Sequence, residues 1–192
     1  MMDHRPVSFV NNHYNDSKGI TRTNKLASGQ PEELEEIWVL FVDDDPMQLV
    51  LFKPLIESYD PLIHVDTLSD PRKVVEAVQR FDYDCVVSEY IIGVSHGINV
   101  FKAVKNVKPI PTVLYTSKDY NEVAKVAQAA DINGYIMKLK DPKYYPALIK
   151  FIREIVKRYR KYNPKRRYRN DPTTSWQMKK YEIMRTNTSE PV

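Results

Sequence analysis

IWVLFVDDDPMQLVLF, residues 37 to 52, sets the frame for the whole chain. Its first six residues are apolar without interruption, the pattern of a strand buried on both faces rather than one with a wet side. Three aspartates follow, and then Pro46, which suits the first turn of a helix because its missing N–H is no loss there. Leu49, Val50, Phe52 and Leu55 then recur at helical spacing. A buried strand running directly into a helix is one half of a strand–helix–strand crossover.

Downstream the same unit repeats. LIHVDTL (62–68) reads as a second strand, and SDPRKVVEAVQRF as a capped helix with Val74, Val75 and Val78 on one face. YDCVVS supplies a third strand, with INVFKAVKNV after Gly97 as its helix. IPTVLYT is a fourth strand, followed by DYNEVAKVAQAAD, whose Val123, Val126, Ala127 and Ala130 are expected to face inward. GYIMK is the fifth strand. PALIKFIREIVKRY closes the pattern as an amphipathic helix carrying Leu148, Ile149, Ile152, Ile155, Val156 and Tyr159. Five alternations imply right-handed crossovers and an α/β fold, a doubly wound, five-stranded parallel sheet covered on both faces.

This body occupies residues 36–160. Residues 1–35 are rich in Asn, Ser, Thr and Asp and read as a flexible leader; residues 161–192 read as a basic, disordered tail. The net charge of +4 is unevenly placed, with −1 in residues 1–35, −3 in 36–150 and +8 in 151–192. The longest apolar run, Ile37–Val42, is too short to cross a bilayer, and the N-terminus lacks the pattern of a signal peptide. With Cys85 as the sole cysteine no internal disulfide is possible, which fits a reducing, cytoplasmic location. Within YDCVV, Cys85 reads as a small core residue. His4, His13 and His64 are too scattered to form a metal-ligand set.

In open parallel sheets the working crevice lies beyond the carboxyl ends of the strands. Those ends place Asp43 and Asp44 after the first strand, Glu89 after the third, Thr116 and Ser117 after the fourth, and Lys138 after the fifth. Ser69 and Asp70, after the second, read as helix caps. Several carboxylates in one crevice repel each other and raise one another's pKa unless a cation relieves them. Mg²⁺ suits oxygen donors of this kind, and a lysine with a hydroxyl suits a phosphoryl group or a carboxylate. Taken singly, Asp43 to Asp45 also read as helix caps and Thr116 as an ordinary strand end.

VLFVDDDP, VVSEYIIGVSHG (86–97), VLYTS and GYIMK together resemble the receiver domain of two-component response regulators, including the chemotaxis regulators, across about residues 36–160. The resemblance implies a flavodoxin-like (βα)5 fold with strand order 2-1-3-4-5. It also implies a Mg²⁺ set of Asp43, Asp44, Glu89 and Ile91, a phosphoryl-contacting Thr116 and Lys138, and a switch aromatic at Tyr135. Gly97 matches the glycine that opens the third helix. The implied setting is a non-enzymatic phosphorelay module, with a histidine kinase or signalling complex as partner. The docking face would be formed by the fourth helix, fifth strand and fifth helix.

Three positions depart from that family's pattern. Glu89 stands where the phosphoaccepting aspartate is expected, one methylene too long; displacements near 1 Å can cost about 10²-fold in such a transfer. Its carboxylate also falls about where the phosphoryl group of a modified aspartate would lie, so it can imitate the activated state without chemistry. Leu139 replaces a proline usually joined by a cis bond, and a trans Lys138–Leu139 peptide is expected, since a cis bond there costs about 3–4 kcal/mol. Gly93 and His96 replace a common proline and aspartate, and His96 is expected to be exposed to solvent.

The favoured expectation is therefore an atypical receiver outside the conventional phosphorelay; slow phosphate acceptance on Glu89 is the nearest variant. A second class of function rests on KRYRKYNPKRRYR. Its Arg158, Arg160, Lys165, Arg166, Arg167 and Arg169, interleaved with tyrosines, suit nucleic acid or an acidic surface such as anionic lipid, with the receiver as scaffold. The plain alternative is a solvated helix end. A metal-dependent phosphatase is disfavoured because DDDP leads straight into a helix, and the residues left after the body are too few for a usual DNA-binding output domain.

Overall fold

The computed structural model describes residues 7–8, 35–138 and 144–163. The chain divides into Met1–Tyr159 and Arg160–Val192. The apolar run opening the body forms β1 (Ile37–Val42), buried along its entire length. It lies between β2 (Ile63–Leu68) and β3 (Cys85–Ser88), both parallel to it, with Ile37 opposite Ile63 and Val39 opposite Cys85. β4 (Thr112–Thr116) pairs with β3, and β5 (Gly134–Met137) with β4. The parallel order is thus β2-β1-β3-β4-β5, as the resemblance implies.

Helices close both faces. α1 (Pro46–Tyr59) begins at Asp45, whose carboxylate accepts from Met47 N, with Pro46 in the first turn. Asp70 caps the short 3₁₀ turn Pro71–Lys73 through Arg72 N, and α2 (Val74–Arg80) continues from it. α3 (Gly97–Val107), α4 (Tyr120–Ala129) and α5 (Tyr145–Tyr162) complete the set. One core cluster joins β1, β3 and β4 to α1 and α5, with the Phe41 and Phe52 rings stacked 3.8 Å apart. Arg153 of α5 holds Asp60, the C-cap of α1, through Nε–Oδ2 and Nη2–Oδ1 contacts of 2.5 and 2.6 Å.

Several local expectations are corrected. Val50 is 68% exposed, and α1 turns Phe52 and Ile56 inward instead. Because residues 49 to 52 are all apolar, the pattern there carries no phase. Val126 likewise faces outward while Val123 and Ala127 are buried. Residues 91–96, read as loop, form a hairpin in which Ile91–Ile92 pairs antiparallel with Ser95–His96. Its two-residue turn has Gly93 at φ +54°, the positive φ that a first turn residue needs in a type II′ connection. The leader, read as flexible throughout, contributes Val7–Ser8 as a sixth strand, antiparallel on the outer edge of β5. Among the described residues no helix is long and apolar enough to cross a membrane.

Candidate functional site

The carboxyl ends of the parallel strands deliver the polar residues that the alternation placed there. Asp43 is 1% exposed, immediately after β1, with its own N–H bonded to Leu68 O of β2. Glu89 follows β3, and its N–H bonds to Val42 O of β1. The backbones of both residues are therefore fixed by the ladder at the ends of two neighbouring strands. Lys138 follows β5, its N–H bonded to Thr116 O of β4, which sends its side chain back across the sheet. The Lys138 ammonium lies 2.5 Å from Asp43 Oδ2 and 2.6 Å from Glu89 Oε2, and 5.5 Å from the Tyr115 ring centroid.

The remaining oxygens of these two carboxylates are also bonded. Asp43 Oδ1 accepts from Asp45 N at 2.9 Å, and Glu89 Oε1 from Tyr90 N at 2.7 Å. Burial raises the Asp43 pKa, opposed by the hydrogen bonds from Lys138 and the Asp45 N–H. A buried carboxylate is tolerable only with such partners, since an unpaired one in an apolar setting is expensive.

The other members of the expected site behave differently. Asp44 is exposed, and its Oδ2 accepts from Gly93 N at 2.7 Å, so this carboxylate latches the hairpin turn. Ile91 sits in that hairpin opposite His96 and is 42% exposed. His96 is exposed, as expected. Thr116 is buried at the end of β4, and its Oγ1 accepts from Lys118 N. Tyr135 is 1% exposed, and its hydroxyl donates to Lys118 O at 2.6 Å. Burial pushes the Tyr135 pKa up to about 12, which keeps that hydroxyl a donor.

Gly97 is required by close approach: a Cβ there would lie 2.1 Å from Glu89 O and 2.8 Å from Ser88 Oγ. The glycine thus lets α3 start against the backbone that carries Glu89. Three partners escaped sequence reading, namely the N–H groups of Gly93 and Tyr90 and the carbonyl of Lys118. Only Gly93 carried a signal, as a glycine in the loop after Glu89.

Oxygen donors of this type suit a hard cation such as Mg²⁺. Here, however, Asp43 and Glu89 turn to Lys138 and Asp44 turns to Gly93. Among the described residues no group of three or more His, Cys, Asp or Glu side chains gathers as a metal-holding set. As arranged, the site does not fit the ion.

The basic residues divide. Arg158 is exposed on α5, whereas Arg160 is 8% exposed. Lys165, Arg166, Arg167 and Arg169 lie outside the described residues, as does Leu139 with its expected trans peptide.

A doubly wound parallel sheet whose carboxyl ends gather two acidic residues and a lysine defines the class of receiver-type α/β domains. A family model for the response regulator receiver domain matches residues 39–150, and the chain belongs to that family. Solved structures agree on the fold. The Vibrio cholerae chemotaxis protein CheY4 is 22% identical over 62% of this chain and 98% of its own, with TM-score 0.55. A CheY-like receiver domain protein from Methanospirillum hungatei is 17% identical, covering 65% of this chain and 99% of its own at TM-score 0.57. The receiver domain of a Pseudomonas aeruginosa sensor histidine kinase, solved with magnesium in its active-site cleft, is 16% identical, with 64% and 98% covered and TM-score 0.55. No curated protein matches the chain.

Proposed function

We propose that this receiver acts as a cytoplasmic signalling and binding module, not an enzyme, whose switch position is occupied by Glu89 in place of a phosphorylated aspartate. The observation that carries this reading is the 2.6 Å contact between Glu89 Oε2 and Lys138 Nζ. A lysine aimed at this crevice is what an incoming phosphoryl group would need. The longer glutamate already takes that contact, while Asp43 takes the other side of the same ammonium. Lys138 thereby supplies the counter-charge, and no bound cation is needed to keep the two carboxylates together.

Phosphoryl transfer depends on in-line positioning of the acceptor oxygen. In Glu89 one oxygen accepts from its neighbour's N–H and the other meets Lys138, and these contacts hold the longer carboxylate in one orientation, displaced from where an aspartate would present its oxygen. The family setting makes a histidine kinase or another signalling protein the natural partner class, meeting the face formed by α4, β5 and α5. The test is intact-mass measurement after incubation with Mg²⁺ and a small phosphodonor, for the natural protein and for Glu89→Asp.

A further inference from the structure

We infer that Val7–Ser8 is a reversible strap, supplied by the chain's own leader, on the outer edge of β5, and that partners of the α4-β5-α5 face must displace it. The consequence for partners rests on the signalling reading above; the strap itself does not.

β5 is the last of the parallel strands, with β4 on one side only. An edge of this kind presents unpaired N–H and C=O groups, a template for another extended segment. Val7 pairs with Ile136 and Ser8 with Tyr135, in antiparallel sense. The direction matters. Because the parallel strands run toward the acidic crevice, the antiparallel leader leaves β5 at the opposite end of the sheet, where β1 begins at Ile37.

Residues 9–34 connect the two places. Extended chain reaches about 3.3 Å per residue, whereas the four strand spacings from the strap to β1 amount to only about 19 Å. The same chain can therefore close the connection without strain. Because both places belong to one chain, the effective concentration of the strap at this edge is on the order of millimolar for a connection of suitable length, which favours pairing within one copy over pairing between copies.

The strap is also weak by construction. Two paired residues are marginal in water, so the edge opens readily and remains open to competition. A partner adding a strand to this edge would use the same backbone groups. Ser8 lies opposite Tyr135, whose hydroxyl bonds to Lys118 O, and Lys118 N bonds in turn to Thr116 Oγ1. The strap thus rests on the strand that carries Tyr135, one of the expected switch residues.

The test is amide hydrogen exchange, read residue by residue by NMR on the full chain and on its Val7→Pro/Ser8→Pro variant. Proline removes the N–H groups of both leader residues, including whichever of the two faces β5. The expected result is roughly tenfold faster exchange within Tyr135–Ile136 in the variant. Val113 and Leu114 in β4 should be unchanged, and the natural protein's protection should not depend on its concentration. Equal exchange in both proteins, equal acceleration in β4, or protection lost on dilution would each overturn the strap. The measurement needs no phosphate and no partner, so it succeeds or fails separately from the signalling reading.

Discussion

Glu89 and Lys138 meet across the carboxyl ends of β3 and β5, with Oε2 and Nζ 2.6 Å apart. Asp43 holds the same ammonium from the β1 side at 2.5 Å. One cation thus ties three strand ends together. Electrostatic satisfaction of the site and integrity of the sheet's crevice end are one interaction.

Replacing Lys138 by Met should therefore destabilise the domain. Breaking a buried ion pair by removing one partner costs about 3–5 kcal/mol, and the slight exposure of this site puts the expectation at the lower end. The loss should depend on pH with a definite sign. The Asp43 pKa is already raised by burial, and without Lys138 it rises further. The folded state then holds a proton that the unfolded chain has released. Stability accordingly falls as pH rises from the ordinary carboxylate value through the raised one. Urea unfolding at several pH values checks this; a pH-independent loss would contradict it.

Gly97→Ala should be among the most damaging small changes. Its Cβ would fall 2.1 Å from Glu89 O, a backbone atom that cannot move without shifting the site residue itself. We expect a loss of several kcal/mol, on the order of 3 or more, seen as a large fall in Tm or failure to accumulate as folded protein. A variant within about 1 kcal/mol of the natural chain would show that the α3 start is looser than described.

Arg153 and Asp60 make a contrasting case. The guanidinium hydrogen bonds hold the Asp60 pKa below its ordinary value, so this pair stabilises the fold above the unfolded carboxylate pKa. That contribution is lost as pH falls through the lower folded value. Arg153→Leu should cost about 1.5–3 kcal/mol at neutral pH, the range for hydrogen bonds to charged groups. It should also move the acid-unfolding midpoint upward. An unchanged midpoint would remove Asp60 from the acid response.

The sequence was legible where its signals were long. β1, with six apolar residues, and the repeated strand–helix alternation gave the sheet and the residues at its carboxyl ends, including Asp43, Glu89, Thr116 and Lys138. Short or phaseless signals were not. The hairpin at Ile91–His96 and the leader pair Val7–Ser8 have two-residue strands, below the window in which alternation can be seen. α1 is apolar on most sides near Val50, so its inward face was set by packing against Phe41 and not by pattern. The partners of each carboxylate were illegible because most are backbone groups, which residue identity does not encode. Asp44 is the clearest example: it was expected beside Asp43 at one ion and instead bonds to Gly93 N.

The central claim is that Glu89 fills the switch position without accepting phosphate. Intact-mass spectrometry after incubation with Mg²⁺ and acetyl phosphate tests it most directly, with Glu89→Asp alongside. The natural protein should show no mass gain, and Glu89→Asp, whose shorter carboxylate releases Lys138, should gain one phosphoryl group. Stoichiometric, Mg²⁺-dependent phosphate on Glu89 in the natural protein would contradict it.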